Sequence, residues 1–142
     1  MIRILTITDY EEIYDLWTKT DGMGLRSLDD SKEGISSFLK RNPNTNFVWE
    51  LNGEIVGVIL SGHDGRRGYI YHMVVDCEYR NNGIGQQMVD KVIEALDEEG
   101  IKKVALVVFK NNTLGNKFWS SIGFEKRDDL IYRNKTIDRL NI

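Results

Sequence analysis

A glycine turn near the middle of the chain reads Arg80-Asn81-Asn82-Gly83-Ile84-Gly85. It follows the apolar run Met73-Val74-Val75 and precedes residues 86–99, whose apolar side chains recur at helical spacing. The order is that of a strand, a tight turn and a helix. Such a turn leaves backbone N–H groups without partners at the positive end of a helix, and Arg80 adds a guanidinium. The stretch therefore predicts a site for a phosphate or pyrophosphate.

The segments around the turn predict a mixed α/β fold. An Asn52-Gly53 turn joins residues 47–51 to residues 54–61 as an antiparallel hairpin, and residues 69–76 continue this meander. After the helix, the apolar run at residues 104–109 predicts a strand that is covered on both faces. A strand–helix–strand unit crosses over right-handedly, so we expect the strands before and after the helix to lie parallel.

Four helices and two final strands complete the predicted single domain, residues 1–142. The first helix is expected to open at a capping box in residues 8–11, the second near Asp30-Ser31, and the fourth to end at Gly123. Final strands are expected over residues 124–127 and 130–133. The predicted fold class is α/β (α+β), a mixed sheet with an antiparallel N-terminal meander and one parallel unit.

Composition and charge exclude several classes of protein. The net charge of −3, from 19 basic and 22 acidic residues, provides no basic surface for nucleic acid. No apolar run approaches the ~20 residues of a membrane span, and the N-terminal residues lack the apolar core of a signal peptide. The single cysteine, Cys77, can form no internal disulfide, which is typical of a reducing compartment. We expect a cytoplasmic protein with no nucleic-acid, membrane or metal partner.

Three kinds of phosphate site compete for the glycine turn. A P-loop needs a lysine and a serine or threonine after the last glycine, where Gln86 and Gln87 stand. A dinucleotide fingerprint needs a third glycine, and Met88 occupies that position. The pyrophosphate loop of acyl-coenzyme A transferases, Arg/Gln-x-x-Gly-x-Gly/Ala, fits at every fixed position. A nucleotide-binding protein remains a separate hypothesis, which a response to ATP or NAD but not to coenzyme A would support.

Two further motifs accompany the turn, Asn111-Asn112 and Phe118-Trp119-Ser120-Ser121-Ile122-Gly123-Phe124. Together the three motifs resemble the GNAT superfamily of N-acetyltransferases over essentially the whole chain, and within it the small bacterial, YpeA-like members. The resemblance implies direct transfer of an acetyl group from acetyl-coenzyme A to a primary amine of a small molecule or peptide, in a ternary complex. A catalytically silent acyl-coenzyme A-binding regulatory module is the alternative.

The resemblance assigns the cofactor to three parts of the chain. The backbone of residues 73–75 would pair with the pantetheine arm, the turn would hold the pyrophosphate, and Asn112 would contact the cofactor near its pantetheine. The two parallel strands would splay apart to admit the thioester. The expected cofactor-binding residues are Met73, Val74, Val75, Arg80, Asn81, Asn82, Gly83, Ile84, Gly85, Gln86, Asn112 and Phe118.

The catalytic positions depart from the family pattern. Trp119 stands where many members have a tyrosine that protonates the departing thiolate, and an indole N–H cannot lose a proton near pH 7. Other members carry a glutamate base at the position of Val107 or near that of Tyr69, and neither carboxylate is present. These absences are the reason for keeping the silent binding module as an alternative.

Other side chains are candidates for the missing roles. Tyr132 is the expected substitute for the acid, and His72 or Tyr71 could act as the base through water. In the loop between the first two helices, Arg26 could pair with a carboxylate of the acceptor, and Asp21, Asp29 or Asp30 could attract a cationic amine. Plain aromatic packing and a flexible loop are the alternatives. The sequence leaves the acceptor open, and the protein could be a monomer or a homodimer.

Overall fold

The computed structural model describes residues 1–142 as a five-stranded mixed sheet between two layers of helices. Strands β1 to β4 are antiparallel neighbours, β5 lies parallel to β4, and the sheet order follows the chain order. The strands are β1 (Ile2–Ile4), β2 (Phe47–Leu51), β3 (Glu54–His63), β4 (Gly68–Val75) and β5 (Val104–Ala105). The helices are α1 (Tyr10–Thr18), α2 (Lys32–Arg41), α3 (Ile84–Glu98) and α4 (Thr113–Ser121). The predicted fold class is confirmed.

Two apolar clusters hold the helices to the two faces of the sheet. On one face, α1 and α2 bury Ile13, Trp17 and Ile35 against Val58 and other strand residues. On the other face, α3 buries an apolar stripe against the sheet, and the apolar side of α4 packs beside it. Each helix is amphipathic, so burial of its apolar stripe is what fixes its position.

Local signals in the sequence set the ends of several elements. Asn52 (φ +51°) and Gly53 (φ +79°) form the tight turn between β2 and β3, as the Asn-Gly pair predicts. The Ser31 side chain accepts a hydrogen bond from the Gly34 N–H at 3.0 Å and caps α2. Gly100 (φ +80°) follows the end of α3, in the left-handed conformation that suits a helix stop.

The start of the first helix differs from the prediction. A 3₁₀ turn, Ile7–Asp9, precedes α1, and the cap lies two residues earlier than expected. There the Thr6 N–H donates to Asp9 Oδ2 at 2.9 Å, and the same carboxylate accepts from Arg3 at 2.9 Å. The capping box predicted at residues 8–11 is therefore wrong, because Thr6 is the capping residue and Asp9 is its partner in the box.

The fifth strand is shorter than predicted and is not covered on both faces. It pairs with β4 only at Gly68↔Val104 and Tyr69↔Ala105. Beyond Ala105 the chain leaves β4, and the side chains of Val107 and Phe109 are 56% and 59% exposed. Val104 and Leu106 pack against the apolar cluster of α3, whereas Ala105, Val107 and Phe109 alternate with them and are exposed, so only one face of this segment is covered.

The two final strands predicted after α4 are absent, and that prediction is wrong. Residues 125–129 are all charged, and Arg127 pairs with Asp129 in solvent at 2.7 Å. Moving these charged side chains from water into a sheet would cost hydration free energy, so they remain exposed. Residues 130–133 follow in an exposed, irregular course over the surface.

None of the four helices is long and apolar enough to cross a bilayer.

Candidate active site

The glycine turn forms the N-terminus of α3, as predicted. Gly83 is the capping residue, with φ of +77° and no side chain to satisfy the helix, and Asn81 also has a positive φ of +65°. No backbone N–H from residues 81–86 has an acceptor in the protein. Six neighbouring donors at the positive end of a 15-residue helix form a candidate anion-binding site without any further side chain.

Side chains brace this turn from within. The Arg80 Nε–H donates to the Val75 carbonyl at 3.0 Å, which ties the turn to the end of β4. The Asn82 Nδ2 group donates to the carbonyls of Tyr79 and Arg80, at 3.1 and 3.3 Å. The terminal guanidinium N–H groups of Arg80 make no hydrogen bond to the protein and are free to bind an anion.

Gly85 brings three elements together beneath the turn. A Cβ at this position would lie 2.8 Å from the end of the Met73 side chain on β4 and 3.3 Å from the Phe118 ring on α4. The absence of a side chain therefore allows α3 to approach both elements closely. Met73, Gly85 and Phe118, three of the predicted cofactor-binding residues, meet at one place.

A slot opens between β4 and β5. The two strands share two register pairs at Gly68 and Tyr69, while β4 continues six residues further, to Val75. Over residues 71–75 one edge of β4 pairs with β3, and the other edge has no strand beside it. The splayed arrangement expected from the family resemblance is therefore present, and residues 73–75 line it.

A β-bulge on β4 turns two candidate catalytic side chains to the same face. In the register with β3, Ile59 pairs with Met73 and Ser61 with Ile70, so Tyr71 and His72 together oppose the single residue Leu60. Tyr71 packs edge-on against Phe38 of α2, and His72 packs edge-on against Trp17 of α1. Both side chains thus face the loop between α1 and α2.

His72 is held by the Asp30 carboxylate, which the sequence suggested as a helix start and as a group that could attract an amine, but not as a partner of His72. Its Nε2 atom lies 2.7 Å from Asp30 Oδ1, and the Asp30 residue is only 5% exposed. The other carboxylate oxygen accepts the Arg26 N–H at 2.7 Å. Nothing in the local sequence signals this contact, because it joins residues 42 positions apart.

Two tyrosines of β4, Tyr69 and Tyr71, have raised pKa values. Burial raises the pKa of Tyr69, and the phenols of Tyr132 and Tyr71 raise it further. Burial also raises the pKa of Tyr71, with additional repulsion from the carboxylates of Asp64 and Asp29 and from the Tyr132 phenol. Tyr132 itself is 66% exposed and donates no hydrogen bond to the protein. The structure therefore brings the predicted acid and one predicted base into the same area.

The loop between α1 and α2 is fastened by the end of the chain. Asn141 Oδ1 accepts from the Leu28 and Asp29 N–H groups, both at 3.0 Å, and Asn141 Nδ2 donates to Asp29 Oδ2 at 2.9 Å. Ser27 N–H donates to the Ile142 carbonyl at 2.8 Å. Sequence reasoning missed this contact, since a single asparagine more than 110 residues away carries no signal of it.

A cavity of about 450 Å³ borders this loop. Its wall includes the rings of Tyr10 and Tyr14, the backbone and side chains around Arg26, and Lys32. Lys32 is paired with Glu11 at 2.7 Å, whereas the Arg26 guanidinium has no partner in the protein. No three histidine, cysteine, aspartate or glutamate side chains come together in a way that could hold a metal ion.

The motifs on α4 have structural contacts of their own. Asn112 caps the helix, with its Oδ1 accepting from the Gly115 N–H at 2.9 Å, so only its Nδ2 group is free. Trp119 packs edge-on between Phe118 and Phe124, with ring centroids 5.0 Å away in each case. This packing explains the aromatic spacing of the motif, independent of any role for Trp119 in catalysis.

Comparisons with known proteins agree on one family. The profile of the acetyltransferase (GNAT) family matches residues 10–124. An acetyltransferase of Sodalis glossinidius is 30% identical over 136 residues, which cover 96% of this chain and 94% of that protein.

Solved structures share the fold. The PaiA N-acetyltransferase of Thermoplasma acidophilum, in complex with coenzyme A, superposes with a TM-score of 0.79 at 19% identity, over 90% of this chain and 91% of the other. Ard1 of Thermoplasma volcanium superposes with a TM-score of 0.76 at 21% identity, over 87% of this chain and 80% of the other. At these identities the likeness shows the architecture alone.

Proposed function

The chain belongs to the acetyltransferase (GNAT) family and by that membership is an acetyl-coenzyme A-dependent N-acetyltransferase, and we propose which of its residues bind the donor and which act on the acceptor. One observation carries the assignment of the donor site. A run of unpaired N–H groups at the N-terminus of α3 lies beside the slot between β4 and β5. A ligand that carries both a pyrophosphate and a long, thin arm fits this combination.

The turn holds the pyrophosphate of acetyl-coenzyme A in this proposal. The N–H groups of Asn81, Asn82, Gly83, Ile84, Gly85 and Gln86 donate to phosphate oxygens. The free guanidinium N–H groups of Arg80 add charge-assisted hydrogen bonds, which are about twice as strong as neutral ones. The protein is acidic overall, so this local set of donors and not a general field has to hold the anion.

The pantetheine arm lies along the free edge of β4. Asp76 donates its N–H to Val56 of β3. Since successive strand residues direct their N–H groups to opposite edges, those of Met73 and Val75 point into the slot. They pair with the amides of the arm, Val74 supplies backbone between them, and the free Asn112 Nδ2 donates from α4. Phe118 closes the apolar side beneath Gly85.

The acetyl group then passes directly to a neutral amine. The amine nitrogen attacks the thioester carbonyl, and a backbone N–H of residues 73–75 stabilises the oxyanion. His72 removes the amine proton. The raised pKa of Tyr71 makes its phenolate rarer at neutral pH, so Tyr71 serves better as a hydrogen-bond donor than as the base. Tyr132 protonates the departing thiolate, a role that the Trp119 indole cannot fill.

The acceptor approaches from the loop between α1 and α2. The unpartnered guanidinium of Arg26 binds a carboxylate of the acceptor, and Asp29 attracts its ammonium group before deprotonation. The acceptor is thus a primary amine of a small molecule or a peptide. A monomer and a homodimer both satisfy the proposal, and the exposed, unpaired Cys77 fits a cytoplasmic location.

The proposal is tested by acetyl transfer with the purified protein. Acetyl-coenzyme A is incubated with polyamines, amino acids, aminoglycosides and peptides with free N-termini, and thiol release is recorded. We expect turnover with at least one amine class and no turnover when the turn is altered. Binding of coenzyme A without turnover would support the silent module instead, and no binding would contradict the donor site.

A further inference from the structure

A buried carboxylate and an imidazole meet on the acceptor side of the slot. We propose that Asp30 is a positioning residue for acetyl transfer, which holds His72 in the tautomer whose Nδ1 atom accepts the proton of the acceptor amine. The proposal rests on the proposed function, because it adds a partner to the base that this function uses. It assigns a role to a residue outside the sequence motifs.

Both carboxylate oxygens of Asp30 and its backbone carbonyl are hydrogen-bonded. Oδ1 lies 2.7 Å from His72 Nε2, and Oδ2 accepts the Arg26 N–H at 2.7 Å. The Asp30 backbone carbonyl accepts the Tyr10 hydroxyl at 2.7 Å. The Asp30 side chain is 6% exposed, so an ionised carboxylate here needs such partners to remain buried.

The contact fixes which nitrogen of His72 carries a proton. An ionised carboxylate only accepts hydrogen bonds, so Nε2 must be the donor to Asp30. In the neutral ring Nδ1 is then the unprotonated nitrogen, and it has no hydrogen-bond partner in the protein. The lone pair is therefore available on the one ring nitrogen that Asp30 does not occupy.

The other histidine of the chain shows what a structural pair looks like. His63 Nε2 lies 2.9 Å from Glu99 Oε1, but its Nδ1 accepts the Gly65 N–H at 2.9 Å. Both nitrogens of His63 are engaged, and no lone pair remains for a substrate. The two histidine–carboxylate pairs have similar Nε2–oxygen distances, but Nδ1 is hydrogen-bonded in His63 and free in His72. The pair of His63 and Glu99 is therefore a matched control.

The proton balance of the step follows from this arrangement. The acceptor ammonium gives one proton to His72 Nδ1, directly or through a water molecule, and the ring becomes an imidazolium that Asp30 stabilises. The neutral amine forms the C–N bond as the C–S bond breaks. As the amide forms, the nitrogen loses its second proton to water. The coenzyme A thiolate takes up a proton from Tyr132, the Tyr132 phenolate is protonated again from solvent, and His72 returns its proton to solvent, so one proton is released in each turnover.

Replacing Asp30 by asparagine separates positioning from folding. The oxygen of the introduced amide can still accept the Arg26 N–H, which turns the amide N–H₂ group toward His72 Nε2. That nitrogen must then accept, and the proton moves to Nδ1. We expect kcat of Asp30→Asn to fall by about 10²-fold, the range of general base catalysis, with the amine KM and the coenzyme A Kd within about threefold of wild type.

Two-bond ¹H–¹⁵N spectra of the histidine rings read the tautomer without any turnover. We expect His72 protonated at Nε2 in the wild type and at Nδ1 in Asp30→Asn. In the His72→Gln background, Asp30→Asn should cost no further kcat, because Asp30 acts only through His72. Glu99→Gln, which breaks the matched pair at His63, should leave kcat within about twofold.

The outcomes separate this proposal from the proposed function. Wild-type protein with His72 protonated at Nδ1 would overturn the proposal, and so would Asp30→Asn that has the changed tautomer and unchanged kcat. If Asp30→Asn does not fold, the tautomer of His72 in the wild type and the kcat of His72→Gln still test the proposal. It requires protonation at Nε2 and a lowered kcat. Absence of turnover in the wild type would instead contradict the proposed function, while the spectra would still show whether Asp30 holds the ring.

Discussion

The proposed donor side and the proposed acceptor side of the slot are built in different ways. The donor side is one contiguous stretch, residues 80–86, whose own backbone N–H groups form the candidate anion-binding site at the start of α3. The acceptor side is assembled from separate segments, which bring Asp30, His72 and Asn141 together through contacts across 42 and 112 residues. A site formed by the backbone of consecutive residues can be predicted from the sequence. A site formed by residues far apart in the sequence depends on the packing of the whole domain.

The difference also has a functional meaning. Backbone donors at a helix N-terminus recognise any pyrophosphate, so this side fits a donor that does not vary. The acceptor side depends on individual side chains at a β-bulge and in a loop, which can change without disturbing the sheet. A substitution on the donor side should therefore abolish binding of the cofactor, whereas a change on the acceptor side should alter the rate or the acceptor KM.

The largest effect is expected from Gly83→Val. A side chain here projects into the space for the pyrophosphate, and valine disfavours the φ of +77°. We expect the Kd for coenzyme A, measured by calorimetry, to rise by about 10²-fold or more, because hydrogen bonds to a charged group are worth about 1.5–3 kcal/mol each.

Gly53→Val is the matched control for that variant. Gly53 has φ of +79° and lies in the turn between β2 and β3, and a Cβ there would meet nothing within 4 Å. A Cβ at Gly83 would meet only the Gln87 Nε2 atom, at an ordinary contact distance of 3.7 Å. Both variants should lose stability from backbone strain, and only Gly83→Val should lose affinity for coenzyme A. Equal affinities in the two variants would contradict the assignment of the turn.

Tyr132→Phe should have the next largest effect. It removes the hydroxyl assigned to protonate the thiolate, and we expect kcat to fall by about 10-fold or more, at the low end of general acid catalysis because a thiolate is a tolerable leaving group. Stability should be unchanged, since the side chain is 66% exposed. A kcat equal to that of the wild type would assign protonation to solvent.

Asn141→Ala tests whether the end of the chain shapes the acceptor side. It removes three hydrogen bonds to residues 28 and 29, and we expect the amine KM to rise by about threefold to tenfold with the coenzyme A Kd unchanged. Asn134→Ala, at an exposed asparagine without hydrogen bonds, is the control. An equal rise in the coenzyme A Kd would mean that the two sides are not separate.

Trp119→Tyr should have the smallest effect on the rate. The indole is packed between Phe118 and Phe124, and a tyrosine there loses contact area, so we expect unfolding to become easier by about 1–2 kcal/mol. The value of kcat should stay within about threefold of wild type. A large gain in kcat would show that a missing acid at this position limits the reaction.

Much of the fold could be predicted because its signals are local. The Asn52-Gly53 turn and Gly100 each specify a backbone conformation that few residues adopt, and the structure has both as predicted. Residues 104–109 and 130–133 misled the prediction, because an apolar run shows the capacity for a strand and not the presence of a partner strand. Pairing is a property of the whole sheet.

The proposed site divides in the same way, into a part with a local sequence signal and a part without one. The turn at residues 80–85 supplies the N–H donors of the candidate anion-binding site from its own backbone. His72 could be singled out as a candidate base, but its partner Asp30 could not, because the bulge opposite Leu60 that aims the ring at α1 appears only in the strand register. The contact of Asn141 with Asp29 could not be predicted either, because it joins residues that lie 112 positions apart in the chain.

The most direct test of the donor site is an NMR titration of ¹⁵N-labelled protein with coenzyme A, compared with pantetheine, which lacks the pyrophosphate. We predict that coenzyme A shifts the amide resonances of residues 73–75 and 81–86 most strongly, and that pantetheine shifts only those of residues 73–75. Unshifted amides at residues 81–86 in the presence of saturating coenzyme A would contradict the account.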